Sequence, residues 1–219
     1  MISRLPNWVK YGAFLLTLLA GIVNSVGLLS FQHQAVSHVS GTATLLGVSL
    51  TDSHYGTVHL LMIMVSFLMG AIVSGFFIEG TALKLGRHYG VALLFEVLLL
   101  IGAWWLLRND ISGGQYLASM ACGLQNAMLT TFSGAIIRTT HMTGIITDLG
   151  IMLGARLRGK PFDKTKATLF FSLLTGFVLG GSIGAVCYAN FEINTLLLPA
   201  AIALLLATFY WVIQARASQ

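Results

Sequence analysis

Six apolar stretches run almost end to end along this chain, and each is long enough to cross ~30 Å of hydrocarbon as a helix. They cover approximately 8–30, 56–78, 89–107, 115–137, 167–189 and 193–213. A soluble domain carries charge on roughly a quarter of its residues. Here 9% are charged and 56% are hydrophobic, so residues 1–219 read as one all-α polytopic membrane domain with no soluble appendage. The formal charge of +5 serves to fix topology and implies no nucleic-acid partner. Cys122 and Cys187 fall inside apolar stretches and read as small packing residues. Arg4 and Lys10 before the first stretch imitate a signal peptide, but no small-x-small cleavage site follows, so an uncleaved first helix is expected.

Two segments, 31–55 and 138–166, are too polar and too short to be confident spans. Each carries a version of one motif, His-x-(Ser/Thr)-Gly-x-x-Thr-x-Leu-Gly, at His38–Gly47 and again at His141–Gly150. The likeness extends outward. Gly21-x-x-Asn24 precedes the first motif as Gly123-x-x-Asn126 precedes the second, and Phe67-x-x-Gly70-x-x-x-Ser74 is answered by Phe177-x-x-Gly180-x-x-x-Gly184. Matches in the same order around a shared motif indicate an internal duplication, with repeats of approximately 8–107 and 115–213.

Basic residues choose between six and eight crossings. If both motif segments turn back to the side they left, Arg4, Lys10, Lys84, Arg87, Arg138, the cluster Arg156–Lys166 and Arg216 share one face. That is eleven of the twelve basic residues, with Arg108 alone opposite. If the segments crossed, Lys84 and Arg87 would change sides. The bias favours six transmembrane helices plus two re-entrant half-helix segments, with both termini cytoplasmic. Three crossings per repeat then make the second repeat inverted relative to the first, as in many secondary transporters.

The Gly-x-x-Asn helix, the Ser/Thr-Gly motif, Gly123-Leu124-Gln125-Asn126 and the run Arg138-Thr139-Thr140-His141-Met142-Thr143-Gly144 together resemble the YoaK family of small bacterial membrane proteins. The resemblance covers essentially the whole chain. It implies a bacterial inner-membrane protein of about six spans and carries no established activity. Asn24 stands where an acid is common in that family, and Thr42 where Asn is common, which puts proton coupling at position 24 in doubt.

Non-helical backbone at membrane depth survives only where protein or water covers it. Gly41 and Gly144 are expected to permit unusual backbone geometry there, with Ser40 or Thr143 capping short helices over 41–50 and 144–156. By inversion the two helix N-termini would meet near the bilayer centre and favour an anion, a carboxylate or a polarised carbonyl. The expected binding set is Asn24, His38, Ser40, Gly41, Thr42, Thr44, Gln125, Asn126, His141, Thr143, Gly144 and Thr147. The bland reading of the motifs is tight turns that pack between helices, with His38 and His141 as interface anchors. Glu96 lies deep in the third stretch, where an unpaired charge is costly. It is expected to be protonated, paired or part of a proton relay. Asp148 has Leu45 as its counterpart in the first motif, so it breaks the symmetry and is the second candidate for proton coupling. A carboxylate near a helix N-terminus is its ordinary explanation.

No His-Glu-x-x-His cluster, Gly-x-Ser-x-Gly elbow or cofactor fingerprint occurs, so neither an enzyme nor a metal or cofactor site is expected. The leading expectation is a transporter of a small polar or anionic organic solute by alternating access, with proton coupling compatible with it. A passive channel and a non-transporting assembly or regulatory protein are the alternatives. Partners would be the solute and the lipid bilayer, with a homodimer possible through small-residue ridges.

Overall fold

A computed structural model describes residues 7–30, 33–51, 56–78, 88–133 and 137–217. Among them are eight α-helices: α1 (Asn7–Leu29), α2 (Val39–Ser49), α3 (Thr57–Phe77), α4 (His88–Arg108), α5 (Gly113–Phe132), α6 (Met142–Leu157), α7 (Lys164–Phe191) and α8 (Leu197–Ala217). A short 3-10 helix, Glu192–Leu196, joins the last two. Arg4, Lys84 and Arg87, on which part of the expected sidedness rests, lie outside the described residues.

α3 shows why this chain belongs in lipid. Its buried positions are Leu60, Ile63, Gly70 and Ser74, while Leu68, Ile72 and Phe76 are exposed. A helix in water hides its large apolar side chains. Here small and polar residues make up half of the buried stripe and the large apolar ones face outward. The described helices include four apolar stretches long enough to cross a membrane, the last running through α7 and α8 together. The chain is an all-α polytopic membrane protein.

Glycines place the helices. A Cβ on Gly180 would overlap the Leu18 carbonyl, one on Gly21 the Phe177 carbonyl, and one on Gly184 would press on Ile22. These pairs rise together, so α1 and α7 lie side by side in the same direction, almost backbone to backbone. α3 and α5 do likewise: Gly70 meets the Met120 carbonyl, Gly123 meets the Phe67 carbonyl, and the Ser119 hydroxyl donates to the Ile63 carbonyl at 2.9 Å. Such close approach is what small residues supply in a bilayer, where burial alone does not drive helices together. The glycine ladder 176/180/184 is therefore used up inside the chain, against α1.

α5 runs opposite to α1, since Gln125 donates to the Leu16 carbonyl and Gln115 to the Ser30 hydroxyl. α4 opposes α5, with Gly114 against Ala103 and Leu107, and α8 opposes α4, with Gly90 against Trp211 and the Trp104 indole donating to Asn194 at 2.9 Å. The long helices therefore alternate in direction along the chain. α2 sits between α1 and α3, and α6 between α5 and α7. Each motif segment thus begins and ends at one end of the bundle.

Several boundaries differ from the sequence expectation, and α5 ends at Phe132, five residues early. α7 starts three residues earlier, because the Asp163 side chain accepts from the Lys166 N–H and caps it at 2.9 Å. α8 starts four residues later, because residues 192–196 wind as a 3-10 turn after Glu192, whose φ is 50°.

Candidate functional site

The motif helices begin two residues before the expected positions, at Val39 and Met142, and their N-caps are His38 and His141 rather than Ser40 and Thr143. The His38 imidazole accepts from the Gly41 N–H at 3.2 Å. This explains the His-x-x-Gly spacing. A Cβ on Gly41 would strike the His38 ring, and one on Gly144 would strike the His141 ring. Neither glycine has a positive φ. They make room for a ring folded over the first helical turn, and the freedom of a backbone without Cβ plays no part.

The motif hydroxyls are turned inward on their own helices. Thr42 donates to the His38 carbonyl at 3.2 Å, Thr44 to Ser40 at 3.0 Å and Thr147 to Thr143 at 2.9 Å. Ser40 and Thr143 are exposed, and Thr42 is buried.

Asn24 and Asn126 hold the segments in place. Asn24 Oδ1 accepts from the Ser37 N–H at 3.2 Å and from its hydroxyl at 2.8 Å. Asn126 Oδ1 takes the Thr139 hydroxyl and the Thr140 N–H, both at 3.4 Å. Each Asn lies five or six residues before its helix end, so the chain doubles back by ~8 Å at 1.5 Å per residue. The register of α1 against α5 sets the two turns apart by about 10 Å along the bundle. Among the described residues α2 packs on α3 and α6 on α7, and no extended packing joins α2 to α6. The expectation that the two helix N-termini meet at the centre is therefore corrected. The chain doubles back only part of the way, and α2 lies on α3 while α6 lies on α7. Asp148, half-buried, pairs with Lys166 at 3.3 Å at the start of α7.

A different feature lies along α1 and α8, where Tyr11, Leu205 and Phe209 face outward. Between α1, α4, α5 and α8 a cleft of about 830 Å³ opens at the end where α1 and α4 begin. Trp8, Tyr89, Phe132 and Ile213 line it near the helix ends, and Leu16, Leu93, Met128 and Ile202 about one to three turns further along the helices. Gly12 lines it with nothing within 4 Å. Its counterpart, shifted by the same interval that relates Gly21 to Gly123, is Gly114, which is pressed against the Ala103 carbonyl and Leu107. The two seams are unequal. α5 is closed on α4, while α1 stands away from α8.

Beyond the inner end lie two of the sequence-predicted residues. Glu96 is 0% exposed and one turn past Leu93 on the face that also carries Tyr89. Gln125 is equally buried and one turn past Met128 on α5. Among the described residues, neither Glu96 oxygen and not the Gln125 Oε1 has a hydrogen-bond partner. Sequence reading missed the cleft and, at the opposite end, a polar group in which His59 hydrogen-bonds the Tyr116 hydroxyl at 3.0 Å beside Gln115. The Gly12–Gly114 correspondence was visible in the sequence, but not that one glycine would be covered and the other open.

The family model described as "Protein of unknown function (DUF1275)" matches residues 12–209. The chain belongs to this family. In this DUF1275 member the matched region takes in both motifs, Glu96, Gln125 and the cleft from Gly12 to Phe209. Neither the curated proteins nor the solved structures offer a match.

Proposed function

We propose that this DUF1275 protein is a non-enzymatic transporter of the YoaK kind in the bacterial inner membrane. In this reading α1, α3, α4, α5, α7 and α8 cross the bilayer, both termini are cytoplasmic, and 8–107 and 115–213 form inverted repeats. The reversed directions of corresponding helices and the matching α1–α7 and α3–α5 seams support the repeat. Lys10 and Lys164 line one crevice at the end where α1 begins, and Arg108 lies at the other end of the bundle, where α4 finishes. That distribution supports a cytoplasmic face at the cleft's mouth.

The observation that carries the proposal is the open Gly12 seam set against the closed Gly114 seam. In an inverted repeat, exchanging the conformations of the two halves closes the first and opens the second, which is alternating access. The cleft is lined almost wholly by apolar side chains, so the cargo has an apolar part, and Glu96 and Gln125 are the polar groups poised beyond it.

The test places single cysteines at Leu15, on the open seam, and at Leu117, its counterpart on the closed one, in a background lacking Cys122 and Cys187. Impermeant thiol reagents are applied from either side of right-side-out and inverted vesicles. Leu15→Cys is expected to react from the cytoplasmic side while Leu117→Cys is silent, and an imposed proton gradient or a transported solute should reverse the pattern. A pattern unchanged under every condition removes alternating access, leaving a channel if the reagents traverse the protein and an assembly role if they do not.

A further inference from the structure

We infer that one anionic phospholipid sits astride the start of α1, its phosphate held by Lys10 and Lys164 and one of its acyl chains in the cleft. The inference goes beyond the transport reading and stands whether or not the two seams exchange.

Two recesses flank α1 at this end. One is the cleft against α8. The other is a crevice of about 600 Å³ against α7, whose lining includes Lys10, Phe14, Lys164, Thr165, Thr168 and Leu169. Both recesses reach Tyr11, which is 72% exposed and forms the ridge between them. The Gly180–Leu18 contact puts Ser172 level with Lys10, and Thr168 and Lys164 about 6 and 12 Å nearer the helix starts. Side chains lean toward the N-terminus of their helix, so the Lys10 stem carries its ammonium group outward toward Thr168 and Lys164. Two ammonium groups and two threonine hydroxyls thus supply donors to one crevice. Among the described residues no acid lines it. The acids near the start of α7 are turned to Lys166: Asp148 pairs with its ammonium group at 3.3 Å, and Asp163 accepts from its N–H. This charge balance suits a phosphate and repels a cationic head group.

The apolar side decides the rest of the ligand. The cleft runs from Trp8 to Leu16 on α1 and from Ile213 to Ile202 on α8, about 12 and 16 Å at 1.5 Å per residue. Half of a ~30 Å hydrocarbon core is about 15 Å. The cleft is therefore as deep as one leaflet, which is the reach of one acyl chain. Gly12 leaves room along it, with nothing within 4 Å. Leu205 and Phe209 on its rim are exposed, so a chain enters sideways from the bilayer. On the other flank of α1 the crevice continues inward over Phe14 and Leu169, an apolar bed for the second chain. Trp8, Tyr11 and Tyr89 gather near the helix ends, where aromatic side chains mark the headgroup layer. A small soluble anion would meet the lysines and use none of the cleft.

The test is native mass spectrometry of the purified protein in a non-ionic detergent, titrated with dioleoylphosphatidylglycerol or dioleoylphosphatidylcholine. The two lipids share their chains and differ in charge. One lysine near the surface contributes about a fivefold preference for an anionic lipid, so the first phosphatidylglycerol is expected to bind roughly 25-fold more tightly than phosphatidylcholine. Lys10→Gln and Lys164→Gln should each lower phosphatidylglycerol about fivefold and leave phosphatidylcholine unchanged. Lys160→Gln removes the same charge from the loop after α6, outside the crevice, and should leave both unchanged. Gly12→Phe, which narrows the cleft, should weaken both lipids. Glycerol phosphate, a head group without chains, should not compete. Size exclusion and thermal unfolding confirm that each variant is folded. Equal binding of the two lipids, a loss with Lys160→Gln as large as with Lys10→Gln, or binding untouched by Gly12→Phe overturns the inference. Competition by glycerol phosphate, or a dimer that takes up no lipid, overturns it as well. Binding is read without flux, so an unchanging Leu15/Leu117 labelling pattern would sink the transport reading and leave this site standing.

Discussion

Alanine at the seam glycines tests the packing on which everything else rests. Gly180→Ala puts a methyl group where the Leu18 carbonyl lies, and Gly70→Ala, Gly21→Ala and Gly123→Ala do the same against Met120, Phe177 and Phe67. The obstacle is backbone in each case, so no rotamer relieves it. The helices must part by about 1 Å, and overpacking of this kind costs ~1–3 kcal/mol. Gly75 and Gly181 are internal controls, with nothing within 4 Å, and alanine there gains up to ~1 kcal/mol of helix propensity. Thermal unfolding in one mild detergent, at ~2–4 °C per kcal/mol for a chain of this size, should show the four seam variants falling by about 4–8 °C for a ~2 kcal/mol loss. The controls should hold or rise. Gly21→Ala with Gly180→Ala, on one seam, should cost less than the sum, because helices once parted accept both methyls. Gly21→Ala with Gly123→Ala, on separate seams, should cost the full sum of ~4 kcal/mol. Seam variants as stable as Gly75→Ala and Gly181→Ala would refute the helix pairing.

Three further outcomes are expected. Asn24→Leu leaves the buried Ser37 N–H without its acceptor and should cost ~1–3 kcal/mol, with faster hydrogen exchange at Ser37, whereas Asn24→Asp keeps the acceptor and should restore protection. Asp148→Asn breaks a half-buried, solvent-reached ion pair with Lys166 and should change stability by less than ~1 kcal/mol, which a salt titration of the unfolding temperature would show directly. Glu96→Leu removes a buried carboxyl group that has no hydrogen-bond partner among the described residues and should raise the unfolding temperature. A residue that stabilises the fold by its removal is one kept for function.

Much of the fold was legible because a bilayer is a simple filter. Span length, the scarcity of charge and the duplicated motif required no tertiary information, and Glu96 stood out because acids are rare at that depth. The motif was legible as a motif but not in its cause. His38 over Gly41 is a contact between a ring and the space a Cβ would fill, and sequence spacing records the pair without saying which atom needs the room. Asn24 and Asn126 read from sequence as ligands for a solute, and the sequence did not show that each Oδ1 also holds the neighbouring turn.

By itself the sequence determined that this chain lives in lipid as a bundle of long helices. Hydrophobicity is enough for that, because hydrocarbon tolerates only helices whose backbone bonds are satisfied within. Tertiary structure decided that α1 joins α7 and α3 joins α5, that α2 and α6 stay apart, and that α1 stands off α8 while α5 closes on α4. The reason is that lipid and protein interior are almost equally apolar. Which faces meet is then set by the fit of small residues against opposing backbone, and a stripe of glycines marks a contact without naming its partner.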